Sequence, residues 1–406
     1  MKKQLLAAAI LAAMATMQAH AGALDDGNLT ISGFGTLGAA KSNSDTAQYG
    51  RYNQAEGAGD SPRLGVDTNL GLQATYKVND WLSGTAQVLT RKGPEGNFGT
   101  ELTWGFLKAK LSDEVSVRVG RVVVPTFLIS DYQNVGYANT MMRPPIEVYS
   151  QNPIENSDGV DINYQHAVGD LNLTAQAFVG VSRGKLYIAS NTNRVVEYRA
   201  PDAGISLTGE YGPFLFRAAH ARADLEINDL TVLNALGNTL SAVGFGKLGS
   251  DLNFKGGKKI AFSSVGMTMD WNNILLQTEY AQRRAKEPVY LADTNSWYAM
   301  TGYRVGKFVP YYAHASVKGA GSSVTVPAAF AAAPAALRGA INSLLASQEQ
   351  TSDLVGVRWD VAKSLALKVQ VDRVKPKAKS GYLINPPAAG TNKDITVVAA
   401  GLDFVF

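Results

Sequence analysis

The sequence predicts an all-β fold, a transmembrane antiparallel β-barrel of about sixteen strands. Apolar and polar residues alternate in short runs along most of the 406-residue chain, which gives each run one apolar face. Short and long connections between these runs alternate regularly, and aromatic residues flank the short ones. An even strand number, with short turns at one end and long loops at the other, is typical of a closed membrane barrel.

The strand count follows from the alternating runs and their connections. Residues 171–181 place Leu, Ala and Val at one parity and mostly polar residues at the other, and 64–73 and 365–372 repeat this pattern. Seven short connections lie at 77–80, 112–114, 168–170, 211–213, 271–273, 305–307 and 361–363. Eight longer ones lie at roughly 41–62, 92–101, 123–157, 182–202, 225–257, 285–295, 319–351 and 376–393. Seven and eight connections imply about sixteen strands, and a soluble sandwich has no reason to alternate its loop lengths so regularly.

Aromatic residues beside the short connections are a second signal. They are Tyr76, Trp81, Tyr164, Tyr211, Phe214, Trp271, Tyr303 and Phe308. Amphipathic rings favour the membrane–water interface, so a band of them at the short-turn end predicts an aromatic girdle. The alternative interpretation is an ordinary aromatic core.

The N-terminal residues and the composition predict an exported, cysteine-free chain. Two lysines, an apolar run at 5–15 and an A-x-A site at 19–21 predict a signal peptide over 1–21, followed by one barrel domain over 22–406. No later run is long and apolar enough for a spanning helix, so membrane insertion would require a closed barrel. The net charge of +4 is too small and dispersed to indicate nucleic-acid binding, and the absence of cysteine excludes disulfides and thiol catalysis.

The last strand carries the most specific pattern. One parity is occupied by Val398, Ala400, Leu402, Phe404 and Phe406, and the sequence ends on that phenylalanine. Here the chain resembles Gram-negative outer-membrane porins, whose final strand ends in a terminal Phe preceded by alternating apolar residues. The resemblance covers the whole chain, from the signal segment and the strand number to the long loop after the fifth strand.

The resemblance implies a water-filled channel in the cell outer membrane for passive diffusion of small hydrophilic solutes and ions, with no cofactor and no enzymatic step. It also implies a homotrimer in contact with outer-membrane lipid and lipopolysaccharide, and recognition of Phe406 by the barrel-assembly machinery. Two alternatives remain open. One is a solute-selective channel with a binding site for small anions or organic acids, and the other is an enzyme or adhesin barrel without a conducting lumen.

The stretch between the fifth and sixth strands, residues 123–157, interrupts the alternation. A segment of this length without its own regular pattern is either disordered or functional. The resemblance implies that it folds into the lumen and sets acids opposite basic wall residues, and facing charges of this kind govern selectivity. The acidic residues expected at the constriction are Asp131, Glu147, Glu155 and Asp158.

Strand parity predicts the basic side of the constriction. Leu107, Ala109 and Leu111 share an apolar face, so Lys108 and Lys110 are expected to point inward. A charge on the lipid face would cost about 2–4 kcal/mol at the midplane. The expected basic wall residues are Arg91, Lys108, Lys110, Arg118, Arg358 and Lys368. The alternative for each of them is an ordinary solvated side chain in a wet lumen.

Other motifs carry little chemistry. Residues 33–38 match G-x-G-x-x-G, but a polar loop follows instead of a helix, so closely packed glycines on a barrel strand fit better than a dinucleotide site. The four histidines are widely spaced, and no metal-ligand or nucleophile motif is present. Residues 327–349 and 228–243 are expected to form either short helices at the mouth or mobile surface loops.

Overall fold

The computed structural model describes residues 27–152, 154–188, 192, 194–346, 349–377, 381–384 and 394–406. The expected signal segment, residues 1–21, lies outside the described residues. Over the described residues seventeen strands form one sheet. In chain order they are β1 (Leu29–Ser42), β2 (Asn69–Lys77), β3 (Leu82–Lys92), β4 (Phe98–Lys110), β5 (Val115–Val123), β6 (Asn156–Val168), β7 (Leu171–Tyr187), β8 (Val195–Tyr211), β9 (Phe214–Asp224), β10 (Glu226–Ile227), β11 (Lys259–Trp271), β12 (Ile274–Ala285), β13 (Asp293–Tyr303), β14 (Phe308–Gly321), β15 (Gln350–Ala362), β16 (Leu365–Pro376) and β17 (Ile395–Val405).

The sheet closes on itself because β1 pairs antiparallel with both β2 and β17. The two-residue β10 pairs with β8 beyond the end of β9, so the wall consists of the other sixteen strands. Short and long connections alternate around it. Asn272 and Asn273 alone join β11 to β12, whereas residues 225–258 lie between β9 and β11. The prediction of a closed antiparallel barrel of about sixteen strands is confirmed.

Two strand boundaries differ from the prediction. Residues 64–68 precede β2 instead of beginning it, because Val66 turns into the barrel interior and packs in an apolar cluster with Met142. Residues 182–202 belong mostly to strands, since the β7–β8 ladder continues without a break to the pair Tyr187 and Val195. β7 and β8 stay paired beyond the part of each strand that alternates apolar and polar residues. The side chains there are mostly polar, so the sequence pattern resembles that of a loop.

The outer face of the wall is apolar. Leu107 on β4 and Val179 on β7 are 57% and 62% exposed. The rings beside the short turns are exposed too, including Trp81, Tyr211 and Trp271, which agrees with a girdle and not with a buried aromatic core. Side chains of this kind on a closed wall are stabilised by contact with lipid.

The glycines of the G-x-G-x-x-G motif lie on β1 at the seam where the barrel closes. A Cβ built on Gly35 would lie 2.5 Å from Cζ of Phe404, and one on Gly33 would clash with the ring of Phe406. The glycines therefore leave room over β1 for the rings of Phe404 and Phe406. This confirms the strand interpretation of the motif, because no helix follows β1.

Helices lie in the connections. They are α1 (Ile146–Tyr149), α2 (Thr231–Ala242), α3 (Gly246–Ser250) and α4 (Ala335–Leu345), with 3₁₀ turns at Gly136–Ala138 and Ala328–Ala332. None of the helices in the described part of the chain is long and apolar enough to cross a membrane.

The two long loops that carry α2, α3 and α4 pack on one another. Leu240, Leu248, Phe330 and Ile341 form a buried cluster between them. Of the two alternatives for 228–243 and 327–349, a short helix or a mobile surface loop, the structure shows the helix in both.

Candidate channel constriction

The loop between β5 and β6, residues 124–155, folds into the barrel, as predicted for 123–157. It contacts wall strands that are distant in sequence, including β1, β12, β15 and β17. Most side chains of 124–130 and 141–151 are buried. A segment with so many buried groups needs partners for its polar atoms, and the wall supplies them.

The first anchor of the loop is Arg143. Its Nε and Nη2 each donate to Asp67 at 2.7 Å, and its Nη1 donates to Asp372 on β16 at 2.8 Å. All three side chains are at most 1% exposed, and the guanidinium lies 5.1 Å from the ring centroid of Tyr49. Buried charges require this degree of pairing, because an unpaired one would be strongly destabilising.

The second anchor consists of two of the predicted basic wall residues. Lys368 Nζ donates to the carbonyls of Gly136 at 2.7 Å and Met141 at 3.0 Å. Arg358 Nη1 donates to the carbonyls of Tyr137 at 2.6 Å and Asn139 at 3.0 Å. Lys368 also pairs with Asp403 and is fully buried. The structure thus places Arg358 and Lys368 beneath the loop, where they hold its backbone.

Farther round the wall, Glu279 of β12 binds the first and the last part of the loop. It accepts from the backbone N–H of Leu128 and from the Tyr149 hydroxyl, both at 2.8 Å. The ring of Tyr149 stacks on Phe127 at 4.4 Å between centroids. One carboxylate and an apolar contact therefore fix both arms of the loop.

Glu147 lies in α1, between the loop and the wall. It is 1% exposed and accepts hydrogen bonds from Gln350 Nε2 at 2.7 Å and from the Ser352 hydroxyl. Burial raises the pKa of this carboxyl above its ordinary value. The structure therefore places it among the contacts that attach the loop, away from the open side.

The other two acidic residues of the loop, Asp131 and Glu155, lie on the side that faces the open lumen. Asp131 is 43% exposed and accepts from Arg217 Nη1 at 2.7 Å. Glu155 accepts a bidentate bond from Arg91, at 2.7 and 3.1 Å, and Arg91 also contacts Glu101. Burial alone would raise the pKa of Glu155, but the charge and hydrogen bonds of Arg91 lower it below its ordinary value. Of the predicted residues, Arg91 and Glu155 are the basic–acidic pair that the fold brings together.

On β5 and β6 the inward acid is Asp161 and not the expected Asp158. Arg118 Nε donates to Asp161 at 2.9 Å, and Asp161 is 1% exposed. Asp158 has the parity of Val160, which is exposed on the outer face, and it pairs with Arg121. Strict alternation along β6 could have distinguished the two acids in the sequence.

The two predicted lysines of β4 differ. Lys108 shares the inward parity of Phe106, whose ring lies 5.1 Å from the Arg118 guanidinium carbon. Lys108 has no ion pair or hydrogen bond to any described residue. Lys110 lies at the β4–β5 turn and pairs with Asp113 at 2.7 Å, away from the loop.

Two polar cavities meet at Glu155 and Asn156. The smaller, of about 20 Å³, lies between the loop and the β3–β4 wall, with Gln87, Trp104 and Tyr132 in its lining. A space of this size holds about one water molecule. The larger, of about 410 Å³, opens above it on the long-loop side.

More basic than acidic residues line the larger cavity, but Arg121 and Arg183 both pair with Asp158, which is not part of the lining. The basic residues of the cavity are Arg51, Arg91, Lys92, Arg121, Arg183 and Lys185, and its acidic residues are Glu95, Glu101 and Glu155. Arg51 contacts Gln133 and Asn134 of the loop and has no carboxylate partner within 4.0 Å in the part of the chain that the structure describes. The sequence reasoning missed Arg51, Arg121 and Arg183. Arg51 lies in a loop where parity gives no information.

A closed sixteen-stranded barrel with an apolar exterior and a loop packed inside it is the architecture of outer-membrane porins and channels. The comparisons agree at the level of the fold. No family model and no curated protein matches the chain. An anion-selective porin from Comamonas acidovorans has a TM-score of 0.54 at 15% identity, covering 93% of this chain and 99% of that one.

Two further solved structures match over a similar extent. OmpF of Salmonella typhi, solved in complex with daunomycin, has a TM-score of 0.53 at 16% identity, with 94% and 99% of the two chains covered. The outer-membrane channel DcaP of Acinetobacter baumannii has a TM-score of 0.55 at 10% identity, with the same coverage. At these identities the likeness establishes the barrel fold of this chain.

Proposed function

We propose that this protein is a porin-type channel for passive diffusion of small hydrophilic solutes and ions across the outer membrane of a Gram-negative bacterium, with a preference for anions. The observation that carries the proposal is the pair of polar cavities that meet at Glu155, beside an inward loop in a closed barrel. Such a lumen provides a polar path through the bilayer, and no bond is made or broken.

The anion preference rests on Arg51, which lines the larger cavity beside the loop and has no carboxylate partner within 4.0 Å among the described residues. Charges that line a path with low-dielectric walls act on ions more strongly than the same charges in water. We assign Arg91, Lys108 and Arg118 to the basic side of the passage and Asp131 and Glu155 to the acidic side. The anion-selective porin from Comamonas acidovorans, which shares the fold, is consistent with this preference.

The proposed function also implies a lipid environment, an oligomeric state and an assembly route for the protein. The apolar outer wall suits outer-membrane lipid and lipopolysaccharide, and we expect a homotrimer. Phe406 directly follows β17 and bonds through its backbone to Gly33 at the closing seam, where the barrel-assembly machinery would recognise it. Residues 1–21 would be removed as a signal peptide, which leaves 22–406 as the barrel.

The experiment is a planar-bilayer recording under a salt gradient. We expect single channels with a reversal potential of the sign for anion preference. Arg51→Gln should move the reversal potential toward zero. Lys77→Gln removes the same charge from an exposed turn, where Lys77 pairs with Asp80, and should leave it unchanged.

The absence of channels under these conditions would refute the proposal and favour a barrel that acts as an enzyme or adhesin. A reversal potential of the cation sign would refute the anion preference alone.

A further inference from the structure

A third cavity, which is largely apolar, lies beside the larger polar one. It has a volume of about 360 Å³ and is enclosed by the inner wall from β7 to β12 and by the loop after β9. Phe178, Leu186, Leu230, Phe254 and Phe262 are among its lining residues. Its volume lies in the range of small-molecule sites. Passage of water and ions does not require an apolar surface of this kind. The cavity therefore points to a ligand with an apolar body.

A buried arginine lines this cavity. Arg283 on β12 is 7% exposed, and its guanidinium donates to the carbonyl of Ala292 at 3.0 and 3.3 Å and to that of Gln151 at 3.4 Å. No carboxylate of the described residues lies within 4.0 Å of it. An anionic ligand would compensate the charge of this buried guanidinium, which has no carboxylate partner among the described residues.

The only carboxylate lining the described part of this cavity belongs to Asp202 on β8. It accepts from the hydroxyls of Ser157 at 2.6 Å and Ser182 at 2.8 Å. The order β8, β9, β11, β12 separates it from Arg283 by three strand spacings, or about 14 Å along the wall. Repulsion from Asp202 therefore favours an anionic group at the Arg283 end, with the rest of the ligand among the apolar side chains.

Tyr52 is a lining residue of both this cavity and the larger polar cavity. The two cavities are therefore neighbours inside the barrel. We propose that the apolar cavity is a binding site for an amphipathic organic monocarboxylate, whose carboxylate pairs with Arg283. This inference rests on the proposed channel and specifies the class of solute that the channel retains.

The test is equilibrium binding of straight-chain fatty carboxylates, from butyrate to octanoate, to the full protein in lipid nanodiscs, with empty nanodiscs as reference. Affinity should rise by about fourfold for each added methylene, as expected for burial in an apolar cavity. Octanoate should bind more tightly than octan-1-ol. The measurement does not depend on ion current.

Two variants distinguish binding in this cavity from partitioning of the ligand into lipid. Arg283→Met should weaken octanoate binding by about tenfold or more, the loss expected for a charge-assisted hydrogen bond, and should leave octan-1-ol binding unchanged. Ala221→Phe, which fills the cavity and keeps the arginine, should abolish the dependence on chain length. Arg284→Met is the matched control, because this neighbouring arginine bonds to the Thr294 carbonyl and lies outside the lining.

Equal affinity for octanoate and octan-1-ol, or an equal loss in Arg283→Met and Arg284→Met, would overturn the inference. So would binding no greater than to empty nanodiscs while the channel conducts. Saturable octanoate binding that depends on Arg283, in a protein that passes no current, would support the site and refute the channel.

Discussion

Replacing Arg143 with Met should release one side of the inward loop. The substitution keeps much of the side-chain length but removes the charge that Asp67 and Asp372 share. Both of these side chains are at most 1% exposed, so water cannot replace the lost partner of either carboxylate. Removing one partner of a buried ion pair costs about 3–5 kcal/mol. This cost falls on the folded position of the loop, because the closed ladder of the wall does not involve the Arg143 side chain.

The assay is single-channel recording of the variant. The loop lies inside the lumen against several wall strands, so its displacement should change the width of the path. We expect a higher mean conductance and more frequent fluctuations than in the wild type. Arg304→Met serves as the control. Arg304 pairs with Asp270 near a short turn, where both side chains are exposed, and such pairs contribute about 0–1 kcal/mol.

A compensated variant tests the cause. Arg143→Met combined with Asp67→Asn and Asp372→Asn removes all three charges, and replacing a whole buried ionic group is often close to neutral. It should recover part of the wild-type conductance and steadiness. If Arg143→Met alone conducts like the wild type, with unchanged fluctuations, the triad does not hold the loop and the reasoning is wrong.

Three further predictions concern the loop, its pH dependence and the seam. Deleting residues 131–147 should raise single-channel conductance more than deleting 327–349, and equal effects would show that the inward loop is not the constriction. Glu155→Gln should lower the melting temperature at pH values above about 4.3, the ordinary pKa of glutamate. The difference from the wild type should shrink as the pH falls through the lower pKa that Glu155 has in the folded protein. A difference that grew on acidification would contradict this sign. Gly35→Val should impair assembly of the folded barrel, measured by its yield, because the new Cβ meets the Phe404 ring, and a normal yield would exclude that clash.

The alternating pattern predicted the strands of the wall well, because a strand can be recognised from residues that are close in sequence. Lys368 on β16 has the opposite parity to the apolar Leu367 and Val369, which predicts an inward side chain, and it is fully buried inside the barrel. The helix α4 was also visible, as apolar residues at helical spacing. These features depend on residues a few positions apart, so no knowledge of distant contacts was needed.

The site was predicted only in part. Parity places a residue inside the barrel, but it does not tell whether the loop covers it. Arg358 and Lys368 were expected on the pore wall, and the structure sets them under the loop backbone. Glu147 was expected to face the passage and instead bonds to Gln350.

The sequence by itself determined that this chain forms a closed barrel with alternating short and long connections, because period two and turn chemistry are local properties. Only the tertiary structure decided which charges neutralise one another and which remain available. Arg143 lies 229 residues from Asp372 and 76 from Asp67, and their contact exists only after the sheet has closed and the loop has entered it. The same closure encloses the apolar cavity beside Arg283, whose walls come from segments that are far apart in the chain.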